Sequence, residues 1–143
     1  MKLEDIMVKK VITVSSLESV VEAAKKMRDA NVGCLIVSVD RSVKGVITDR
    51  DLVVGCLGAG HNARECRVEQ HMSSPVIIAE PGWDILEASR VMTEQQVKRL
   101  PVMQDKKLVG LVSFSDIALA LDKPMHELLV GADATRRALL KYI

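Results

Sequence analysis

Apolar positions along the chain change period in a fixed order, and the order occurs twice. Val11 to Val14 is a short apolar run of β type. From Ser16 to Ala30 apolar residues fall at 17, 20, 21, 23, 24 and 27, the spacing of one helix face. Asn31 and Gly33 break that helix. Cys34 to Val39 is an apolar run of strand length, Asp40 to Ser42 a turn, and Val43 to Ile47 a second strand, so the pattern predicts a hairpin. Thr48 then opens a second helix through Asp51, Leu52, Val53, Val54 and Leu57, ended by Gly58 and Gly60.

Placing each residue beside the one 65 positions later aligns the chain with itself from Met7/Met72 through Leu52/Ile117 without a gap. Identities include Val11/Val76, Glu22/Glu87, Ala23/Ala88, Met27/Met92, Leu35/Leu100, Val37/Val102, Gly45/Gly110 and Asp51/Asp116. A duplicated unit takes precedence over any fold assignment made from single segments. The second unit therefore predicts Val76 to Ala79 as strand, a helix from about Trp83 to Gln95, strands Arg99 to Met103 and Leu108 to Val112, and a helix from Ser113 to Leu121. A loop with a short helix near Val68 to Met72 joins the units, and a tail helix follows Pro124.

A three-stranded sheet with two helices covers only one face well, so one unit alone is marginal and two must pack together. The expected fold class is α/β (α+β): two pseudo-symmetric β-α-β-β-α repeats packed sheet to sheet, plus a C-terminal helix. Residues 1–60 form the first repeat, and residues 61–143 the second with its preceding linker and helical tail. The pseudo-twofold arrangement leaves two related clefts where strand ends meet.

Composition narrows the partners. The net charge of +1 and the interleaving of acids and bases, as in Lys25, Lys26, Arg28 and Asp29, disfavour nucleic acid. Trp83, Phe114 and Tyr142 are the whole aromatic set, so any base must be gripped by aliphatic groups. MKLEDIMVKK carries early acids and no uninterrupted apolar run, and no later stretch reaches the roughly 18 apolar residues of a membrane span. No membrane association and a cytoplasmic location are expected. Three cysteines, an odd number, fit a reducing compartment better than a disulfide framework.

Candidate chemistry centres on GVITDRD, Gly45 to Asp51. Thr48-x-x-Asp51 is a capping-box pattern, repeated as Ser113-x-x-Asp116, and by itself is worth about 1 kcal/mol of cap stability with no ligand. Both caps, however, follow an apolar strand beginning with glycine, and a helix N-terminus there presents free amides suited to a phosphate. A carboxylate one turn in accepts ribose hydroxyls, and Arg50 and Arg99 supply cations for phosphate.

In DIMVKKVITV and HMSSPVIIAE, in the helices VVEAAKKM and ILEASRVM, in the endings VKGVITDRD and LVGLVSFSD, and in VKRLPV, the chain resembles a stand-alone tandem pair of CBS domains, a Bateman module. The resemblance covers about Leu3 to Asp122 and implies a homodimer of modules that senses adenosyl small molecules such as AMP, ADP or ATP. It implies that Thr48, Asp51, Ser113 and Asp116 meet ribose and phosphate, with Arg50, Arg99 and Pro101 beside them. Ile12, Thr13, Ile77 and Ile78 would flank the adenine. Phe114 and Ser115 stand where the first unit has Asp49 and Arg50, so the two clefts are expected to be unequal.

The alternative is a dimeric interaction or stress-response protein that binds no nucleotide, with a metal or redox role at Cys56 and Cys66. Cys56, His61, Cys66 and His71 recur every fifth residue, which is not a zinc-finger spacing, so no metal is expected. Cys34, in an apolar strand, is read as core. No nucleophile turn and no Gly-rich phosphate loop ending in Lys-Ser/Thr occurs, so no enzyme and no required cofactor are expected. An unknown protein partner for the module is left open.

Overall fold

The computed structural model describes residues 1–121 and residue 131. Its elements run β1 (Thr13–Ser15), α1 (Val20–Ala30), β2 (Cys34–Val39), β3 (Ser42–Thr48), α2 (Ile85–Glu94), β4 (Arg99–Gln104), β5 (Lys107–Ser113) and α3 (Phe114–Leu121). A seven-residue π-helix, Asp51–Leu57, stands where α3 stands in the second half, and single 3-10 turns occupy Leu3–Asp5 and Val68–Gln70. The tail helix expected after Pro124 lies outside the described residues.

The duplication extends to the backbone. Left-handed φ angles occur at Asn31, Asp40 and Arg41 and again at Gln96, Asp105 and Lys106, each pair 65 residues apart. Asn31 ends α1 in the αL conformation that terminates helices at low cost for Asn. The Asp40-Arg41 and Asp105-Lys106 pairs close two-residue hairpin turns that need positive φ at both positions. The β2–β3 ladder shifts register at Val37/Ser38, and β4–β5 shifts at Val102/Met103, again at the same offset.

Helix starts follow capping chemistry more closely than the apolar period. α1 begins at Val20, not near Ser16, because the Ser19 hydroxyl accepts from Glu22 N at 3.1 Å. α2 begins at Ile85 because the Asp84 carboxylate accepts from Leu86 N at 2.9 Å.

One expected strand is reduced to a single bridge. In the first half β1 pairs in parallel with β2, and Ile36 N donates to Ile12 O at 3.1 Å. The counterpart of Ile36 is Pro101, which has no N–H to give to Ile77. Only Ala79 pairs, donating to Pro101 O and accepting from Met103 N, both at 2.9 Å.

The opening segment of each repeat packs on the other repeat. Leu3, Ile6 and Met7 join the core built by Ala79, Ile85, Ala88, Met92, Leu100, Val102, Val112 and Ile117. Val68 and Met72 join the core of Val14, Val20, Ala23, Met27, Leu35, Val37, Ile47, Leu52 and Cys56. Val46 and Ser73 exchange backbone bonds of 3.1 and 2.9 Å, as Val8 and Leu111 do at 2.9 Å in both directions. This exchange explains the paired glycines. A Cβ at Gly45 would stand 2.7 Å from Met72 Sδ and 2.8 Å from the Ser73 carbonyl, and one at Gly110 would stand 2.5 Å from Met7 Sδ.

Candidate functional site: a cleft between the repeats

Both expected capping boxes form, with nearly the same geometry. Thr48 N and Thr48 Oγ1 donate to Asp51 Oδ2 at 2.8 and 3.0 Å, and Asp51 N returns a bond to Thr48 Oγ1 at 3.3 Å. Ser113 N and Oγ donate to Asp116 Oδ2 at 2.7 and 2.8 Å, with Asp116 N to Ser113 Oγ at 3.1 Å. A single carboxylate oxygen takes both cap bonds in each box.

The first box opens onto a cleft of about 670 Å³, within the roughly 300–1,000 Å³ of small-molecule sites. Three segments line it. The end of β3 gives Val46, Thr48, Asp49 and Arg50; the exchanged opening segment gives Ser73, Pro75, Val76 and Ile77; the turn into β4 gives Gln96 to Arg99. The walls are aliphatic and the rim carries Arg50, Lys98 and Arg99 against one acid, Asp49. That acid is turned to its own backbone. Arg50 N donates to Asp49 Oδ1 at 2.9 Å, and Asp49 Oδ2 lies 2.9 Å from where a Cβ at Gly33 would stand.

Of the residues singled out in the sequence, Thr48, Arg50, Ile77 and Arg99 meet in this cleft, and Asp51 stands behind Thr48 as its hydrogen-bond partner. Ile12 is half-buried against the first core, and the Thr13 carbonyl accepts from Lys26 Nζ at 3.0 Å. Ile78 is exposed, and Pro101 is buried with its carbonyl bonded to Ala79 N, so neither lines the cleft. Ser113 and Asp116 cap α3, beside the exposed Phe114.

Sequence reasoning missed Ser73, Pro75, Gln96 and Lys98, and the aliphatic Val46, Val76 and Val97. The first two come from the segment exchange; Gln96 carries the αL backbone of the helix end, the same signal as Asn31. Cys34, read as core, is half-buried and pairs with Thr48 across the hairpin. Burial pushes its thiol up to about 11; Arg99 lowers it somewhat, and Asp51 and Asp49 raise it. Those charges mark Cys34 as a neighbour of the cleft, and it is the repeat counterpart of Arg99.

A second cluster lies at the far end of the π-helix. Sulfur and imidazole nitrogen atoms of Cys56, Cys66 and His71 all lie within 4.8 Å of one another. Burial, first, and the neighbouring Cys66 push the Cys56 thiol up. Among the described residues no helix is long and apolar enough to cross a membrane.

The CBS domain profile matches residues 3–57 and again residues 68–123. An uncharacterized protein of Methanopyrus kandleri is 38% identical over 109 residues, covering 75% of this chain and 56% of its own length, so the chain spans about half of that relative. Hypoxic response protein 1 of Mycobacterium tuberculosis is 35% identical over 123 residues, covering 85% of each. A crystal structure of Hypoxic Response Protein I with two coordinated zinc ions has a TM-score of 0.74 at 32% identity, covering 85% of this chain and 100% of that one. A CBS domain pair in complex with 5′-methylthioadenosine and S-adenosyl-L-methionine has a TM-score of 0.70 at 27% identity, covering 82% and 92%. Two matched copies and one backbone pattern repeated at one offset make the chain a member of the CBS domain family, with two CBS domains in tandem.

Proposed function

We propose that the chain is a regulatory module that senses an adenine nucleotide of the AMP, ADP or ATP type in the cleft between its repeats. The observation that carries this reading is the combination in one cleft of aliphatic walls, a capped helix start and three cations. Val76, Ile77 and Val97 form a slot that grips a base without aromatic stacking. Thr48, held by its bond to Asp51, faces a ribose. Arg50, Lys98 and Arg99 answer the phosphates. The adenosyl ligands in the related CBS pair support the ligand class.

Ser113 and Asp116, with Ile12 and Thr13, form the repeat-related set, and it lacks a counterpart of Arg50. The second cleft is therefore the weaker one for a phosphorylated ligand. Output is a change of shape read by a partner protein or by a second copy in a homodimer.

Calorimetric titration with AMP, ADP and ATP tests the reading. Nucleotide at about 100 times its dissociation constant raises stability by roughly 2.7 kcal/mol. Arg50→Ser, which installs the residue found at the repeat-related position, costs about tenfold in affinity by removing a charged hydrogen bond and leaves the unfolding midpoint unchanged. Should no nucleotide bind, the interaction-protein reading replaces this one.

A further inference from the structure

We propose that Cys56, Cys66 and His71, completed by His61, form a zinc-class metal site at the corner where the first repeat meets the linker. Two thiolates and imidazole are the donor set that zinc prefers, with Zn–S near 2.3 Å and Zn–N near 2.0–2.1 Å. Those lengths put ligand atoms about 3.5–4 Å apart around a tetrahedral ion. The three groups already lie within 4.8 Å, so closing on a metal needs side-chain adjustment of about an ångström.

Each donor is anchored by backbone. Cys56 is fully buried in the π-helix. Cys66 N donates to Asn62 O at 3.0 Å, and Cys66 O accepts from Val20 N at 2.9 Å. His71 closes the 3-10 turn, donating to Val68 O at 3.0 Å. His61 N donates to Cys56 O at 3.0 Å, and the His61 ring centroid stands 5.5 Å from that of His71, within reach of the fourth position.

Two observations separate this corner from ordinary packing. His71 Nε2 is buried with no hydrogen-bond partner among the described residues, a cost that coordination or a ligand removes. The repeat-related positions of Cys56, Cys66 and His71 are Leu121, Met1 and Ile6. The residues 65 positions away thus offer neither thiol nor imidazole. Binding of a divalent ion deprotonates both thiols, releases two protons to solvent and leaves a neutral site.

The test uses the full chain, stripped of metal with a chelator, kept reduced, and titrated with zinc alone or cobalt(II) alone. The expected result is one metal per chain after gel filtration, with thiolate charge-transfer and tetrahedral d–d bands in the cobalt form. Cys66→Ser and His71→Ala each lose those bands and bind zinc more than about 100-fold more weakly, beyond the loss from an outer-shell partner. Cys34→Ser keeps them. Circular dichroism of each variant separates lost coordination from lost folding, and if Cys56→Ser does not fold the two half-buried positions carry the test. A reduced wild-type chain that retains no zinc, or cobalt bands that survive in Cys66→Ser, overturns the site. An unshifted d–d band in His61→Ala overturns the place of His61 as fourth ligand.

Discussion

The two halves of the molecule share turns, register and caps, and they differ in strand count, in the winding of the last helix and in the chemistry beside the cleft and at the π-helix. Left-handed turns, register shifts, glycines under methionines and capping boxes recur at one offset. Asp49 and Arg50 at the mouth of the first cleft become Phe114 and Ser115, and the Cys56, Cys66 and His71 corner becomes Leu121, Met1 and Ile6. Backbone geometry admits few residue types at a given position, so both copies keep it. A binding surface is free to diverge once two copies exist, and the divergent positions are where ligand chemistry is sought.

The largest test of equivalence is in the cores. Leu35 and Leu100 are repeat-related, fully buried, and on matching strands. Truncation to alanine at either position should cost about 2–5 kcal/mol through lost burial and the cavity left behind. Urea unfolding of Leu35→Ala and Leu100→Ala should give midpoints that fall by similar amounts. A difference between them larger than about 1.5 kcal/mol would show that the halves contribute unequally to the shared fold.

A smaller, unequal pair is expected at the glycines. At Gly45 an added Cβ meets the backbone carbonyl of Ser73 at 2.8 Å, which moves only with the exchanged segment. At Gly110 it meets Met7 Sδ, Cγ and Cβ at 2.5, 2.8 and 3.2 Å, all side-chain atoms of a flexible residue near the chain start. Gly45→Ala should therefore destabilise by about 1–3 kcal/mol, and Gly110→Ala by less, in the same denaturant measurement. Because Ser73 also lines the cleft, only Gly45→Ala should weaken nucleotide binding. The reverse order would mean that the opening segments are not held as the structure has them.

Much of this was legible in the chain. The 65-residue offset, the two caps and the hairpins follow from residues whose backbone demands are local: Asn31, the Asp40 and Asp105 turns, Thr48 with Asp51. What escaped was non-local. That Met72 and Ser73 sit on the first repeat, and Met7 on the second, depends on packing between segments far apart in sequence. Loss of the strand near Ile78 depends on the missing N–H of Pro101, legible only once Pro101 is paired with Ile36 by the repeat. The fivefold spacing of Cys56, His61, Cys66 and His71 matches no α-helical face. Cys56 and His61 are joined by wide turns, with Gly58 N bonded to Val53 O and His61 N to Cys56 O, and Cys66 and His71 are brought to Cys56 by bonds to Val20 and Val68.

The last comparison is a pH dependence confined to alkaline solution, and it separates Cys34 from its counterpart Arg99. A buried thiol whose ordinary value near 9 rises to about 11 favours the folded state only while neutral. Below about pH 9 the thiol is protonated in both states and its full contribution is present. Between about 9 and 11 the unfolded chain ionises and the folded chain resists, so this contribution falls with rising pH and is gone above about 11. Cys34→Ala should flatten part of the decline in stability over that window. Nucleotide binding should add a further signature: with phosphate oxygens beside Arg99 and the thiol nearby, Cys34 should react still more slowly with a neutral alkylating reagent at pH 8 when the cleft is filled. Equal alkylation rates with and without bound nucleotide would separate Cys34 from the cleft and leave it as core.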